Sequence, residues 1–394
     1  MKVLTFATLF PSAKRPVFGL FVFERTSRLA CRQGNLVRVI APVPYFPSWI
    51  PSGRWGIHSQ IPREEVVGNL ETHHPRYPLV PGVMTLHGLL MFVGCYLTAR
   101  RLHREIHFDC IDAHYIYPDG FAAVLLGKVL DLPVCVSARG TDINVFPSFV
   151  SIRPMIRWTL RQADGIMAVS AALEGAMTNL GVPGEKIAVI PNGVNLERFR
   201  PVQRTEARDR LGLPRQIKMV LSVGSLTEVK NHHLLISGFA QAFRTLPDVR
   251  LYVLGEGPLL HELQDLTRKL GIEEKVFLLG SRPNEELASW FNAADISCLA
   301  SSREGWPNVV MESLASGTPV VATRVGGIPE IITSEELGVL VEQNVDSLAK
   351  GMVLAFAKDW NRATLARHAQ ARSWDQVASE VEQYLVSQVI RRTG

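Results

Sequence analysis

Residues 301–332 read SSREGWPNVVMESLASGTPVVATRVGGIPEII. Two carboxylates, Glu304 and Glu312, stand eight positions apart around the start of a predicted helix, and an apolar strand and a Gly-Gly turn follow. Pro307 suits the first turn of that helix, and Gly317 suits the position just after its last turn. Carboxylates accept hydrogen bonds from sugar hydroxyls, whereas phosphates are bound by the backbone amides of helix N-termini. The stretch therefore predicts a site for a ligand that carries both groups.

The chain around this stretch alternates short apolar runs with helical stretches in both of its halves. Most of the runs are apolar throughout, which is typical of parallel strands that are buried on both faces. Strands and helices in this alternation predict an α/β fold with a doubly wound parallel sheet in each half. The predicted strands are Val3–Ala7, Val37–Ala41, Cys110–Ala113, Val134–Ser137, Ile166–Val169, Ile187–Ile190, Met219–Val223, Leu251–Leu254, Val276–Leu279, Ile296–Leu299, Pro319–Ala322 and Gly338–Val341.

The length of 394 residues suits two domains rather than one. We place the boundary near Pro201, before a polar run, which gives a first domain over residues 1–201 and a second over residues 202–373. The last helical segment, residues 374–394, has no strand after it and could return to the first domain. Because ligands of such sheets lie beyond the carboxyl ends of the strands, we expect the site in the cleft between the domains.

Composition and charge indicate which class of protein this is and which kinds of ligand it could bind. Apolar residues make up 47% of the chain and charged residues 20%, as in a soluble globular protein. The formal charge of +5 suits anionic ligands or an anionic surface, but no aromatic-rich basic run predicts nucleic-acid binding. Five cysteines without C-x-x-C spacing predict buried free thiols in a reducing compartment. With no signal peptide and no apolar run of about 20 residues, we expect a cytoplasmic protein.

The opening stretch resembles the E-x7-E signature of the retaining glycosyltransferases of family 4. Further segments follow in that family's order, namely IPNGVNLERF, SVGSLTEVKNHHLLI, LYVLGEGPLL and VFLLG. The resemblance implies the GT-B fold, in which two Rossmann-like domains face each other across a cleft. It also implies transfer of a sugar from a nucleotide-diphosphate sugar to an acceptor hydroxyl, with retention of configuration, in polysaccharide or glycolipid assembly. The motifs are specific to the family and not to a substrate.

The same resemblance assigns the donor side of the site. It implies that Glu304 accepts hydrogen bonds from the donor sugar, that Glu312 holds the ribose hydroxyls, and that Lys230 meets the diphosphate. Each also has an ordinary structural interpretation: a carboxylate at a helix N-terminus, an exposed helix residue and a solvated lysine. The other donor-binding candidates are Gly224, Ser225, Glu256, Gly305, Trp306, Pro307 and Asn308.

Ser225 is a departure from the family pattern, because family members often carry an arginine there that reaches the diphosphate. Arg139 is the candidate replacement: it ends a buried strand of the first domain, where similar proteins often have a histidine. An arginine cannot act as a general base, so it would give only electrostatic help. The alternative is an interdomain salt bridge that involves Arg139, with Asp142 as one candidate partner.

Three residues of the first half are candidates for the acceptor side. His114 and Asp119 follow the Cys110–Ala113 strand and resemble an acceptor-side segment of relatives, although a histidine here could equally be structural. Gly19 lies in the first strand-to-helix loop, where relatives often have a Gly-Gly pair. Leu20 replaces the second glycine of that pair.

Residues 86–106, LHGLLMFVGCYLTARRLHREI, are apolar first and basic at their end. The simplest interpretation is a core helix with a solvated basic tip. The alternative is contact with anionic lipid headgroups, which would suit a lipid-linked rather than a soluble carbohydrate acceptor.

The absence of a D-x-D motif predicts that no metal or other cofactor is essential. The charge of the leaving group would then be met by Lys230, helix N-termini and Arg139. Two alternatives stay open at this point. One is another GT-B chemistry, such as a nucleotide-sugar epimerase or a phosphorylase, and the other is a non-catalytic subunit that binds a nucleotide-sugar.

Overall fold

The computed structural model describes residues 1–45, 53–80, 82–246 and 248–393. The chain forms two compact units: Met1–Asn192 together with Trp374–Gly394, and Gly193–Ser373. This division falls earlier than the boundary that the sequence suggested near Pro201. The physical reason is that Val194 and Phe199 are buried in the hydrophobic core of the second unit.

The first unit contains an eight-stranded sheet within the described residues, in the order β10-β9-β8-β7-β1-β2-β5-β4. All neighbours pair in parallel except β4 and β5, and β3 and β6 form a separate parallel pair. The strands are β1 (Lys2–Phe6), β2 (Leu36–Ile40), β3 (Val43–Pro44), β4 (Glu64–Val67), β5 (Leu70–His73), β6 (Arg76–Tyr77), β7 (Cys110–His114), β8 (Val134–Ala138), β9 (Gly165–Ala168) and β10 (Ile187–Val189). The helices are α1 (Leu20–Cys31), α2 (Gly53–Gln60), α3 (His87–Ile106), α4 (Phe121–Leu130), α5 (Thr141–Asn144), α6 (Arg153–Gln162) and α7 (Ala171–Asn179).

The second unit has a six-stranded sheet within the described residues, in the order β13-β12-β11-β14-β15-β16, and every pair is parallel. Its strands are β11 (Lys218–Val223), β12 (Val249–Leu254), β13 (Val276–Leu278), β14 (Ile296–Leu299), β15 (Val320–Thr323) and β16 (Gly338–Val341). Its helices are α8 (Arg204–Arg210), α9 (His232–Phe243), α10 (Leu260–Lys269), α11 (Asn284–Ala293), α12 (Asn308–Ala315), α13 (Ile328–Ile331), α14 (Val345–Ala357) and α15 (Arg362–Gln370).

The last helix, α16 (Trp374–Thr393), packs against α1 in the first unit. Its buried residues recur every three or four positions, which gives the helix one continuous apolar face. Glu382 adds an ion pair to Arg32, the residue directly after α1. The residues of that apolar face, which lie in the same core cluster as Val22 and Leu29, are Trp374, Val377, Ala378, Val381 and Leu385.

The prediction of two parallel α/β sheets is confirmed. Each predicted strand coincides with an observed one to within one or two residues. The apolar runs are buried on both faces of the sheets, as in β8, where all residues are buried. The sequence did not predict β3 to β6, which are short and partly polar.

Two expectations about the surface can be compared with the structure. No helix within the described ranges combines the length and the apolar composition needed to cross a membrane. Four of the five cysteines are buried free thiols, but Cys31 at the end of α1 is exposed, so the expectation of buried thiols was wrong for that residue.

Candidate functional site

Lys230 is positioned by the loop that follows β11 in the second unit. The buried strand ends at Val223, and a 3-10 turn over Glu228–Lys230 leads into α9. Asn231 caps α9 in a left-handed conformation, and its side chain accepts a hydrogen bond from the Leu234 amide at 3.3 Å. A Cβ atom added at Gly224 would lie 3.5 Å from Cδ of Lys230, so the lysine side chain runs closely past this glycine.

Glu304 lies on the loop after β14, the neighbour of β11 in the sheet. Nζ of Lys230 and Oγ of Ser301 each donate a hydrogen bond to Oε1 of Glu304 at 2.6 Å. Both side chains of the ion pair keep some exposure, 22% for Lys230 and 10% for Glu304. A further hydrogen bond holds this loop to β15, because Oγ1 of Thr323 donates to the Ser301 carbonyl at 2.6 Å. The structure thus joins two predicted residues at the carboxyl edge of the sheet.

The Gly-Gly turn after β15 closes against the backbone of Glu304. Gly326 has φ 52°, and a Cβ atom there would lie 1.9 Å from the Glu304 carbonyl oxygen. Both the left-handed backbone and the close approach require glycine. The Lys230 loop and the Glu304 loop are also tied directly, because the Ser302 amide donates to the Val229 carbonyl at 2.8 Å. These constraints fix the position of the Glu304 carboxylate.

The remaining residues of the motif lead into α12. Gly305 is buried, and Trp306 packs against the main core cluster of the unit. Pro307 stands just before the first helical residue, Asn308, rather than inside the first turn. Glu312 follows within α12, and Gly317 lies directly after its C-cap residue in a left-handed conformation, as predicted.

Ser225 and Glu256, two further donor-side candidates, are exposed on neighbouring loops. Oγ of Ser225 lies 3.3 Å from Oγ1 of Thr227. The Glu256 carboxylate accepts a hydrogen bond from the Ser281 amide at 3.4 Å, and its backbone carbonyl accepts one from the Leu226 amide. The two loops that carry Ser225 and Glu256 are therefore hydrogen-bonded to each other.

Sequence reasoning missed two polar residues of this site. Ser301 is the first residue of the motif and was not predicted to have a role, although its hydroxyl orients Glu304. His232, the first residue of α9, is 1% exposed, and burial lowers its pKa to about 4, so the ring is neutral at pH 7. The signal for His232 was its place directly after the N-cap asparagine of an apolar helix.

In the first unit, Arg139 follows β8 and its guanidinium is held by two side chains. Nη1 donates to Oδ1 of Asn192 at 2.9 Å, and Nη2 donates to Nδ1 of His114 at 2.5 Å. The guanidinium also lies 5.4 Å from the centroid of the Phe21 ring. The Asp142 carboxylate accepts from the backbone amides of Arg139 and Gly140, which favours a structural role for Asp142 in shaping this loop.

His114 is the last residue of β7 and has no exposed surface. Burial, reinforced by the positive charge of Arg25, lowers its pKa to about 3, so the ring is neutral. Nδ1 accepts from Arg139, and Nε2 lies 3.0 Å from Nη2 of Arg25 and 3.3 Å from Oδ2 of Asp112. This geometry favours the structural alternative for His114 over direct contact with an acceptor.

Asp112 and Arg25 anchor that network and were not singled out from the sequence. Nη2 of Arg25 donates to both carboxylate oxygens of Asp112 at 2.6 Å, and the two side chains are 3% and 1% exposed. Burial opposes ionisation of Asp112, but the adjacent Arg25 guanidinium outweighs it and holds the pKa of the carboxyl well below its usual range.

Asp119 and Gly19 contact residues other than those that surround Arg139: Asp119 contacts Thr8, and Gly19 lies next to Leu9. The buried Asp119 carboxylate accepts from the Thr8 amide at 2.5 Å and from the Thr8 hydroxyl at 3.0 Å. Burial raises the pKa of Asp119 to about 7. Gly19 has φ 69°, and a Cβ atom there would lie 2.3 Å from the Leu9 carbonyl oxygen, so this position also requires glycine. Leu20, which replaces the second glycine of relatives, begins α1.

Among the described residues, no three or more His, Cys, Asp or Glu side chains are grouped as a metal ion would require.

Family models match both units. The model described as Glycosyl transferases group 1 matches residues 203–372, and the model described as Glycosyltransferase Family 4 matches residues 59–198. Together these two segments extend over most of the chain, including the Lys230 and Glu304 loops.

Curated relatives and solved structures agree with the family models. A D-inositol 3-phosphate glycosyltransferase of Corynebacterium urealyticum is 34% identical over 318 residues, which cover 74% of each chain. The protein TuaC of Bacillus subtilis (strain 168), named as a teichuronic acid biosynthesis glycosyltransferase, is 27% identical over 89% of this chain and 88% of its own. The Anabaena protein HepE, solved in complex with UDP-glucose, superimposes with a TM-score of 0.73 at 20% identity and covers 98% of this chain and 100% of its own. The chain therefore belongs to the family 4 glycosyltransferases and has their GT-B fold.

Proposed function

We propose that this glycosyltransferase transfers a sugar from a nucleotide-diphosphate sugar to an acceptor hydroxyl with retention of configuration. The observation that carries the proposal is the Lys230–Glu304 pair, which places an ammonium and a carboxylate in direct contact at the carboxyl edge of a parallel sheet. A nucleotide-diphosphate sugar needs both groups, a cation for its phosphates and an acceptor for its hydroxyls. The complex of HepE with UDP-glucose makes UDP-sugars the first donors to test.

The contacts of Glu304 suit it to a sugar ligand. A carboxylate offers roughly four lone-pair sites on its two oxygens. Oε1 already accepts from Lys230 and Ser301, whereas Oε2 accepts no hydrogen bond from the part of the chain that the structure describes. Oε2 is therefore the atom that we propose accepts a donor-sugar hydroxyl. Glu312, which lies within α12, would hold the ribose hydroxyls.

The proposed reaction uses no enzymic nucleophile. The bond between the anomeric carbon and the diphosphate oxygen breaks, and the acceptor oxygen bonds to the same face of that carbon. The proton of the acceptor hydroxyl passes to an oxygen of the leaving phosphate. Lys230 stabilises the charge that develops on the diphosphate, which is the kind of contribution that preorganised cations make in group transfer.

Arg139 is the cation that we propose for the first unit. His114 and Asn192 hold its guanidinium, so little conformational entropy has to be lost when an anion binds. We expect Arg139→Ala to lower kcat at least tenfold. Arg139→Lys should restore less than the wild-type rate, because a lysine cannot reproduce both side-chain contacts. Wild-type turnover of Arg139→Ala would contradict this role.

The donor can be identified with a panel of UDP-, GDP- and ADP-sugars. A donor at 100 times its dissociation constant should add about 2.7 kcal/mol to the free energy of unfolding, which a thermal-shift assay detects. Hydrolysis of the stabilising donor without acceptor, followed by NMR of the anomeric proton, then tests turnover and retention. A donor that binds and is never hydrolysed or transferred would instead support a non-catalytic binding protein, and an inverted product would contradict the retaining mechanism.

The acceptor class that we propose is a carbohydrate carried at an anionic membrane surface. Four exposed apolar residues, three in α3 and one directly before it, recur every three or four positions. Two exposed arginines continue the same helix face. Arg101 lies beside that face but pairs with Glu64 at 2.7 Å. Such a helix face can insert apolar side chains between headgroups while its arginines meet anionic lipid. The face consists of Leu86, Leu89, Val93, Leu97, Arg100 and Arg104.

Sedimentation with vesicles tests this surface. Wild-type protein should bind vesicles of phosphatidylglycerol at low salt and release them at high salt. Leu97→Glu should weaken binding strongly, whereas the matched control Leu354→Glu, on an exposed position of the second unit, should not. Equal binding by both variants would contradict the assignment.

A further inference from the structure

The first unit contains a cavity of about 180 Å³ at the carboxyl ends of neighbouring strands. Four of its lining residues follow strands that are adjacent in the sheet: Thr8 follows β1, Pro42 follows β2, His74 follows β5 and Pro118 follows β7. In open α/β sheets this is the edge where ligands bind. The residues that line this cavity do not include Arg139 or His114.

The cavity is too small for a whole sugar nucleotide. Binding sites for small organic ligands have volumes of roughly 300–1,000 Å³. At roughly 30 Å³ per water molecule, this cavity corresponds to about six waters. Its size suits one functional group of a larger molecule rather than the whole molecule.

A buried hydroxyl in the wall of the cavity lacks a hydrogen-bond partner. Ser12 is 4% exposed, and its Oγ forms no hydrogen bond with the described residues. A buried polar group without a partner costs about 1–3 kcal/mol, so native proteins rarely leave one unexplained. The backbone of Ser12 is fixed by a tight turn, because the Arg15 amide donates to the Ser12 carbonyl at 2.9 Å.

The same turn places an arginine at the cavity. The Arg15 guanidinium lies 3.4 Å from the centroid of the Phe18 ring, which holds it in place, and it forms no ion pair within the described ranges. Partial burial lowers its pKa, as expected for a cation that has lost water without gaining a carboxylate. A cation in this condition favours an anionic ligand.

A histidine and a second arginine lie close to Arg15 at the cavity. His58 lines it, and burial together with repulsion from Arg15 and Arg76 lowers the pKa of His58. Among the described residues, the Arg76 guanidinium donates to two backbone carbonyls, those of Ile61 and His74, and to no carboxylate. Within the part of the chain that the structure describes, the charges of Arg15 and Arg76 are therefore not balanced by direct ion pairs, whereas the lowered pKa of His58 favours its neutral ring.

Two carboxylates are bonded to residues that line the cavity or lie next to them. Glu65 accepts from Nε2 of His74 at 2.8 Å and from the Ala13 amide at 2.9 Å. Asp119 accepts from both donors of Thr8. These two acids brace the walls of the cavity and do not contact the Arg15 guanidinium.

We propose that this cavity binds a phosphate group of the acceptor, with the Arg15 guanidinium as its cationic ligand and the Ser12 hydroxyl as a hydrogen-bond donor. An arginine fork and a hydroxyl match the geometry of phosphate oxygens. The identification of the phosphate as part of the acceptor rests on the proposed function, and it makes this enzyme specific for phosphorylated acceptors.

Binding can be measured without catalysis. Inorganic phosphate is titrated by calorimetry into the full chain that carries Lys230→Ala, which removes the donor-side cation as a competing site. Adding Arg15→Ala should weaken phosphate binding at least tenfold, and adding Ser12→Ala should weaken it about threefold. Adding Lys14→Ala instead, an equal change of charge on an exposed neighbour, should leave the affinity unchanged. Equal effects of Arg15→Ala and Lys14→Ala would overturn the proposal.

A kinetic experiment tests the link to the acceptor. The KM values for a sugar and for its phosphomonoester are compared at saturating donor. The wild type should prefer the phosphorylated acceptor, and Arg15→Ala should reduce that preference at least tenfold, with partial recovery in Arg15→Lys. An unchanged preference in Arg15→Ala would overturn the proposal. Failure of the wild type to hydrolyse or transfer any donor sugar would contradict the proposed function instead, and the calorimetric result would still decide whether the cavity binds phosphate.

Two forms of the acceptor can carry this phosphate. Competition by glucose 6-phosphate would indicate a soluble phosphorylated acceptor, and competition only by a prenyl phosphate in micelles would indicate a lipid-linked one. Both results support the phosphate site, whereas competition by neither would overturn it.

Discussion

The two units hold their charged side chains in opposite ways. In the second unit, Lys230 and Glu304 form a pair that keeps 22% and 10% of its side-chain surface exposed. In the first unit, Arg25 and Asp112 form a pair that is 3% and 1% exposed. A partly exposed pair can exchange partners with a ligand at little cost, but a buried pair cannot be opened without leaving a charge unsolvated. An ion pair of this fold can thus belong to a binding site, as at the carboxyl edge of the second sheet, or support the interior, as in the middle of β7.

Removing Asp112 should have the largest effect on stability. Asp112→Asn leaves the Arg25 guanidinium buried without a counter-charge, and we expect the free energy of unfolding of the first unit to fall by about 3–5 kcal/mol. Denaturant-dependent hydrogen exchange of the amides in β7 and β8 would measure this loss. The control Asp265→Asn breaks an exposed pair with Arg268 and should change stability little. Similar losses in both variants would contradict the idea that burial makes the Arg25–Asp112 pair costly to open.

Removing Lys230 should affect activity more than stability. Lys230→Ala deletes a cation that the proposed mechanism places at the diphosphate, and we expect kcat/KM to fall about 10²–10³-fold. The exposed Lys269→Ala, on the solvent side of α10, is the matched control and should retain the wild-type rate. Steady-state kinetics together with melting temperatures would separate the two effects. A Lys230→Ala enzyme within twofold of the wild type would contradict the assignment.

Asp119 makes the stability of the first unit depend on pH, and the direction of its pKa shift gives the direction of that dependence. Because the folded-state pKa is raised from 3.8 to about 7, the folded state favours the protonated carboxyl. Its contribution to stability is complete below pH 4 and is lost as the pH rises to 7. Asp119→Asn mimics the protonated acid, so the stability of the variant relative to the wild type should grow between pH 4 and 7, by up to about 1.4 kcal/mol per pH unit. Parallel denaturation curves for the two proteins would contradict the raised pKa.

The smallest predicted effect concerns Ser225. Ser225→Arg would add a cation where family members often have one, and we expect the KM for the donor to fall two- to tenfold, equivalent to at most about 1.4 kcal/mol. Ser225→Gln is a control of similar reach without charge. If the two substitutions change the donor KM equally, the diphosphate is already neutralised in the wild type and Lys230 with its helix N-terminus suffices.

Most of the fold could be predicted because the central strands are short apolar runs that stand between helices. The hairpin of β4 and β5 could not be predicted in this way, because EEVV and LETH mix polar with apolar residues and are not continuous apolar runs. A local signal was nevertheless present: Gly68 and Asn69 separate the two strands, and a two-residue Gly-Asn connection is typical of a β-hairpin.

The candidate site was predictable where its residues are contiguous. Glu304 to Asn308 lie in one motif, so their proximity follows from the sequence itself. The contact of Lys230 with Glu304 could not be predicted, because it depends on β11 lying next to β14 in the sheet, and sequence order does not show this. The Arg25–Asp112 pair had a signal that went unused, an acid in the middle of the apolar strand CIDAH, which requires a buried partner.

The packing of α16 on α1 has a consequence for biosynthesis. The first unit contains both the first strand of the chain and its last helix, and the whole second unit lies between them in sequence. A ribosome releases the chain from its N-terminus, so the second unit can be complete while the apolar groove of α1 still lacks Trp374 and Val381. The first unit can therefore be completed only after the second has been translated, and the nascent chain must stay soluble with that groove open until α16 emerges.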